Sequence, residues 1–206
     1  MTDDALAPAP MVDIAFALSG SVLPREYRRL LADALRQVLP WLADEPVAGP
    51  HPLKTDDGDR PQALLARRSR LLIRVPRHRI DEALALQGRV IAVGPQTLTI
   101  GDGQVRELLP WGTLYSSFVA TTAPDEPGFL QGIDGELGQL GIRCRVICGR
   151  AQRAEAGQVR GFSLMLDGLA QEAALRVQSQ GLGPLRGLGF GVFVPHKSAA
   201  AVGAPP

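Results

Sequence analysis

Apolar and polar or small positions alternate along Val12-Asp13-Ile14-Ala15-Phe16-Ala17-Leu18, and Ser19-Gly20 ends the run. A two-residue period of this kind is that of a strand with one buried face. The period then changes. Leu31, Leu35, Val38 and Leu42 recur three or four residues apart, which predicts a helix with Pro24 in its first turn and Pro40 at its end or kink. Residues 44–62 hold Pro46, Gly49, Pro50, Pro52 and the polar run Thr55-Asp56-Asp57-Gly58-Asp59, and read as loop. Arg70 to Val75 reads as a strand stopped by Pro76, and Arg79 to Leu86 as a short helix with Ile80 and Leu84 inward. Val90 to Val93 and Thr97 to Ile100 read as strands joined at Gly94-Pro95.

The second half repeats the order. Leu114 to Thr121 is a strand, Glu126 to Leu140 a helix weakened by four glycines, and Ile142 to Cys148 and Gln158 to Leu166 two strands. Leu169 to Gln180 is a helix with Ala173 and Val177 on one face, and Gly191 to Val194 a last strand before Pro195. Each half thus reads strand, helix, strand, strand, helix, strand. The fold class is α+β, as tandem ferredoxin-like (RRM-like) βαββαβ domains with a C-terminal glycine-rich loop. The second strand of the first half is least marked, because Pro and Gly crowd residues 46–52. The boundary falls near Pro110-Trp111-Gly112, giving domains 11–110 and 111–197 of about 100 residues each. Residues 1–10 and 198–206, rich in Ala and Pro, are predicted to be disordered.

Composition narrows the classes. With 22 basic and 21 acidic residues, formal net charge is +1, which excludes a uniformly basic nucleic-acid coat and leaves room for one basic face. Aromatics at 5% argue against recognition dominated by base stacking. Cys144 and Cys148 would sit on one face of a strand, roughly 13 Å apart, too far for a disulfide and consistent with a reducing compartment. No run approaches the ~18 apolar residues of a membrane span. The acidic start Met1-Thr2-Asp3-Asp4 is wrong for a secretory signal, so the chain reads as cytoplasmic and unattached to membrane. No His-Glu-x-x-His or Cys-x-x-Cys occurs and no acidic pair falls on strands, so neither metal nor cofactor is called for; Asp56, Asp57 and Asp59 read as a solvated turn.

Five glycines fall between Gly181 and Gly191, at 181, 183, 187, 189 and 191, with Arg186 among them. Backbone without side chains can approach a phosphate closely, and arginine can fork onto its oxygens. The segment follows a helix and opens a strand, so it is neither a dinucleotide fingerprint nor a P-loop; a flexible connection is the plain alternative.

A basic residue between two glycine clusters, followed by an aromatic strand, resembles the signature of the repeat-associated (RAMP) RNA-binding superfamily of CRISPR systems. Within it the chain is similar to the endoribonucleases that process CRISPR precursor RNA, in the short form attached to the Myxan type I subtype. The resemblance runs from Met11-Val12-Asp13 to Val194-Pro195, through Leu39-Pro40-Trp41-Leu42, Gly49-Pro50-His51-Pro52-Leu53-Lys54 and Arg68-Ser69-Arg70-Leu71. It implies metal-independent cleavage by the 2′-hydroxyl beside the scissile bond, leaving a 2′,3′-cyclic phosphate and a 5′-hydroxyl. It also implies repeat RNA as partner, as precursor and mature guide, with other subunits of a type I effector complex as further candidates.

Such chemistry needs a base, an acid and positive charge at the phosphate. The resemblance puts the catalytic histidine at His51, with Tyr27 from the preceding helix and Lys54 nearby. Packing for Tyr27 and a solvated loop for Lys54 and His51 are the alternatives. His196 is the rival histidine, and His78 reads as a basic helix cap. Arg68, Ser69, Arg70, Arg150, Arg153, Gly181, Gly183, Arg186, Gly187 and Gly189 are the RNA-binding candidates, and Arg74 shares the face of Arg70. Two other readings stay open: a subunit of the same superfamily that holds RNA without cutting it, and a duplicated ferredoxin-like protein binding a small anion.

Overall fold

A computed structural model describes residues 9–56, 61–66 and 69–197. The predicted disorder at 1–8 and 198–206, the acidic residues Asp57 and Asp59, and the candidate Arg68 lie outside these described residues. The elements in order are β1 (Met11–Ser19), β2 (Val22–Pro24), α1 (Tyr27–Val38), β3 (Gly49–Pro50), β4 (Gln62–Leu64), β5 (Arg70–Pro76), α2 (Ile80–Leu84), β6 (Val90–Val93) and β7 (Gln96–Glu107). The second half adds β8 (Thr113–Thr121), α3 (Glu126–Gln139), β9 (Arg145–Ala154), β10 (Val159–Asp167), α4 (Gln171–Gln180) and β11 (Val194–Pro195).

The fold is a mixed α+β arrangement of antiparallel sheets. One sheet has the order β3-β5-β1-β7-β6, a second the order β11-β8-β10-β9, and β2 pairs with β4. The alternation read from the sequence sets the faces of the first sheet. Val12, Ile14 and Phe16 of β1 and Leu71, Ile73 and Val75 of β5 are buried in a core that α1 closes with Leu31 and Leu35. The intervening residues, Asp13 and Ala15 on β1 and Arg70, Leu72 and Arg74 on β5, take the opposite face. In the second half, Leu114, Leu164 and Leu166 pack against Phe129, Ile133 and Leu137 of α3.

Several boundaries differ from the sequence reading; β9, read as Ile142 to Cys148, runs Arg145–Ala154, because its polar end pairs with Val159 to Phe162 of β10. Pro24 ends β2 instead of opening the helix, since β2 pairs with β4 and α1 begins at Tyr27. β7 runs on to Glu107, because Val12 to Phe16 pair with its polar second half. The last strand is only Val194–Pro195, since the backbone before it turns through Gly191 with φ at +62°. Helix α3 withstands its glycines: Phe129, Ile133 and Leu137 form a buried stripe four residues apart, Gly132, Gly135 and Gly138 face open space, and Asp125 caps the Gly128 N–H at 2.9 Å.

Candidate active site between the two sheets

The face of the first sheet turned away from α1 and the face of the second turned away from α3 both line a cleft of about 590 Å³. The first half lines it with His51, Lys54, Ser69, Arg70 and Arg106, the second with Tyr115, Ser117, Val192 and Val194. Sheet register places the basic groups: Arg70 and Arg74 share one face of β5, and Arg106 of β7 stands opposite Asp13.

His51 is positioned by backbone. β3 pairs Gly49 with Arg74 and Pro50 with Ile73, and the His51 N–H donates to Leu72 O at 2.8 Å, so the segment runs along the edge of β5. Its imidazole is 7% exposed, and Nε2 lies 3.0 Å from Asp13 Oδ1. Asp13 stands directly opposite Arg74 in the sheet. Arg74 is fully buried and forks onto this carboxylate, Nε to Oδ1 at 2.8 Å and Nη2 to Oδ2 at 2.9 Å. Burial works to raise the Asp13 pKa, but hydrogen bonds and charge from His51 and Arg74 hold it well below the usual carboxylate range. Burial pushes the His51 pKa down; Asp13 opposes this, while Arg74 and Arg186 add to it. The triad therefore holds one anion, one cation and a neutral imidazole near pH 7.

The structure brings some of the sequence candidates together and parts others. His51, Lys54, Ser69 and Arg70 meet in the cleft; the Ser69 hydroxyl donates to Lys54 O at 3.2 Å, fixing the loop that carries the lysine. Tyr27 lies beneath that loop, away from the cleft: its buried hydroxyl accepts the Leu53 N–H at 2.8 Å, and burial raises its pKa. Arg150 and Arg153 are exposed on β9, outside the cleft lining, and His78 is an exposed partner of Glu45. His196 follows β11, its ring 5.5 Å from that of Tyr115.

In the glycine-rich segment, read from the sequence as a phosphate cradle, four glycine N–H groups are engaged within the protein. The segment forms the seam between the halves. The Gly181 N–H bonds Val177 O, the Gly183 N–H bonds a Glu136 carboxylate oxygen, the Gly189 N–H bonds Arg186 O and the Gly191 N–H bonds Phe118 O. Those donors have partners inside the protein. Arg186, 6% exposed, turns inward to the carbonyls of Phe190 and Val47, and burial first, then Arg74, lowers its pKa to about 9, with Asp13 opposing. A Cβ on Gly49 would lie 2.7 Å from Arg186 O and 2.9 Å from the Gly187 Cα, so glycine here permits backbone contact between the halves. Arg74, read as part of a surface track with Arg70, is likewise interior, because Asp13 opposes it in the sheet.

Asp13, Arg106, Tyr115 and Ser117 were not singled out from the sequence. An acid and an arginine both in the polar phase of adjacent strands was the one available signal, and it signals only once their register is known.

A family model described as "Cas6 Crispr" matches residues 12–198. The chain belongs to the Cas6 family. It is 31% identical over 194 residues to a CRISPR-associated endonuclease Cas6 from Myxococcus xanthus (strain DK1622), covering 93% of this chain and 84% of that protein. Among solved structures, a CRISPR associated protein Cas6 superposes with a TM-score of 0.65 at 12% identity, over 91% of this chain and 100% of the other. A Cas6-related protein from Pyrococcus furiosus gives a TM-score of 0.61 at 14% identity, over 90% and 98%. At these identities the structural matches show that the Cas6 fold is shared. Among the described residues no helix is long and apolar enough to cross a membrane, and no three His, Cys, Asp or Glu side chains are grouped to hold a metal ion.

Proposed function

We propose that the protein is a metal-independent endoribonuclease that cleaves CRISPR repeat RNA to release mature guide RNA in the cytoplasm. The observation that carries this reading is the grouping of His51, Lys54, Arg70 and Arg106 along one cleft in a chain of the Cas6 family. In this reading His51 accepts the proton of the 2′-hydroxyl, and the 2′-oxygen attacks the adjacent phosphorus. The bond from phosphorus to the 5′-oxygen breaks, that oxygen takes up a proton, and a 2′,3′-cyclic phosphate remains. Lys54 and the arginines offset the charge gathered on the phosphate. The strand order β11-β8-β10-β9, and β3-β5-β1-β7 within the first sheet, supports reading the halves as tandem ferredoxin-like units of residues 11–110 and 111–197. One solved neighbour, with a TM-score of 0.56, is described as an RAMP protein binding different RNA substrates, which agrees with RNA as partner.

The deep burial of His51 favours a second reading, in which the cleft holds repeat RNA without cutting it. Incubation with cognate repeat RNA in EDTA separates the two. Cleavage at one position, ending in a cyclic phosphate and lost in His51→Ala, is the expected result. Tight binding without cleavage assigns the second reading, and cleavage that requires added divalent metal removes the first.

A further inference from the structure

A carboxylate has no proton to give, so in the His51–Asp13 contact it is Nε2 of His51 that carries the hydrogen. A neutral imidazole protonated there keeps its lone pair on Nδ1. Asp13 in turn has little freedom to move. Both of its oxygens are engaged by Arg74, whose remaining nitrogen Nη1 donates to Gln178 O at 2.7 Å and Phe193 O at 3.0 Å. The charged groups facing His51 are Asp13 from β1, Arg74 from β5 and Arg186 from the segment after α4. Two are cations, and with burial they disfavour a second proton on the ring; the single carboxylate selects where the first one sits.

We propose that Asp13, braced by Arg74, is a positioning residue that fixes the His51 ring as the tautomer with hydrogen on Nε2, so that Nδ1 is the atom that accepts the 2′-hydroxyl proton. This rests on the reading of His51 as proton acceptor and adds to it the atom, the tautomer and the two residues that hold them. The fork from Arg74 matters because it fills the carboxylate positions that would otherwise let Asp13 rotate away from the ring. Because Arg74 is held by carbonyls of the second half, the ring orientation also depends on the two halves being docked.

The test pairs nitrogen-15 NMR of the histidine rings with single-turnover cleavage of repeat RNA by the wild type, His51→Ala and Asp13→Asn. The expected result is an Nε2–H tautomer for His51 in the wild type, lost in Asp13→Asn. With it should come a fall in cleavage rate of about 100-fold or more and an RNA Kd within about threefold of the wild type. Should Asp13→Asn fold poorly because Arg74 is left buried without its anion, the double variant Asp13→Asn/Arg74→Met removes both charges and is held to the same outcome. An Nδ1–H tautomer in the wild type overturns the proposal, as does a variant that cleaves within about threefold of the wild-type rate while His51→Ala is inactive. A wild type that binds repeat RNA and does not cut it removes the underlying functional reading instead, and the proposed role of Asp13 with it.

Discussion

At the scale of single residues, burial decides the chemistry of the Asp13–His51–Arg74 group. His51 and Asp13 both have folded-state pKa values below their ordinary ones. Each therefore binds fewer protons in the folded than in the unfolded chain between the two values, so stability rises with pH across that window. The contribution from His51 is complete above its unfolded value of about 6.5 and falls away below it, by at most about 1.4 kcal/mol per pH unit. Asp13 adds a second loss below about pH 3.9. Thermal melts should show Tm falling as pH drops from 7 to 5, with a flatter profile in His51→Gln; parallel profiles in the two proteins would contradict the assignment. None of this was legible from the strand pattern alone. Asp13 sits at a polar position of an alternating run, where a solvent-facing acid is the ordinary reading. Only its register opposite Arg74 makes it the partner of a buried cation.

At the scale of elements, hydrophobic period was a good guide wherever an element buries one face and a poor one elsewhere. β1 and β5 emerged close to their observed limits and α1 with its buried face, though not its ends, because Ile14, Phe16, Ile73, Leu31 and Leu35 carry the signal. The second half of β7, Gly101 to Glu107, has no apolar alternation and was passed over, although it pairs along β1. The glycine-rich segment was visible as composition, but what it does depends on tertiary contacts. Gly191 has φ at +62°, and a Cβ there would collide with the Leu182 carbonyl, whereas Gly88, at φ +75°, has open space around it. Gly191→Ala should therefore cost about 2–4 kcal/mol, and Gly88→Ala only about 1 kcal/mol, the penalty for a left-handed backbone without a clash. Denaturant titration of the two variants measures the difference; equal losses would show that the seam tolerates the added methyl group.

At the scale of the whole molecule, the cleft exists because residues of both sheets, from the faces turned away from α1 and α3, come together. That is why Tyr115, Ser117 and Arg106 escaped the sequence reading: they are far apart in the chain, and nothing local marks them. Arg106 is exposed on the first sheet and lines the cleft together with Tyr115 of the second. If RNA lies in this cleft as proposed, Arg106→Ala should weaken binding and lower the slope of log K against log salt by about 1, the release of one counterion. An unchanged slope would place the phosphate track elsewhere on the protein.

The Arg74 brace also sets an order on biosynthesis. Asp13, His51 and Arg74 all leave the ribosome with the first half of the chain, but the carbonyls that complete Arg74 belong to Gln178 and Phe193. A nascent chain that has folded only its first half carries this guanidinium with one nitrogen unpaired, at a face the second half has yet to cover. The group is completed only once the chain through Phe193 has been made, so a product that stops short of it lacks the carbonyls that hold the free end of Arg74.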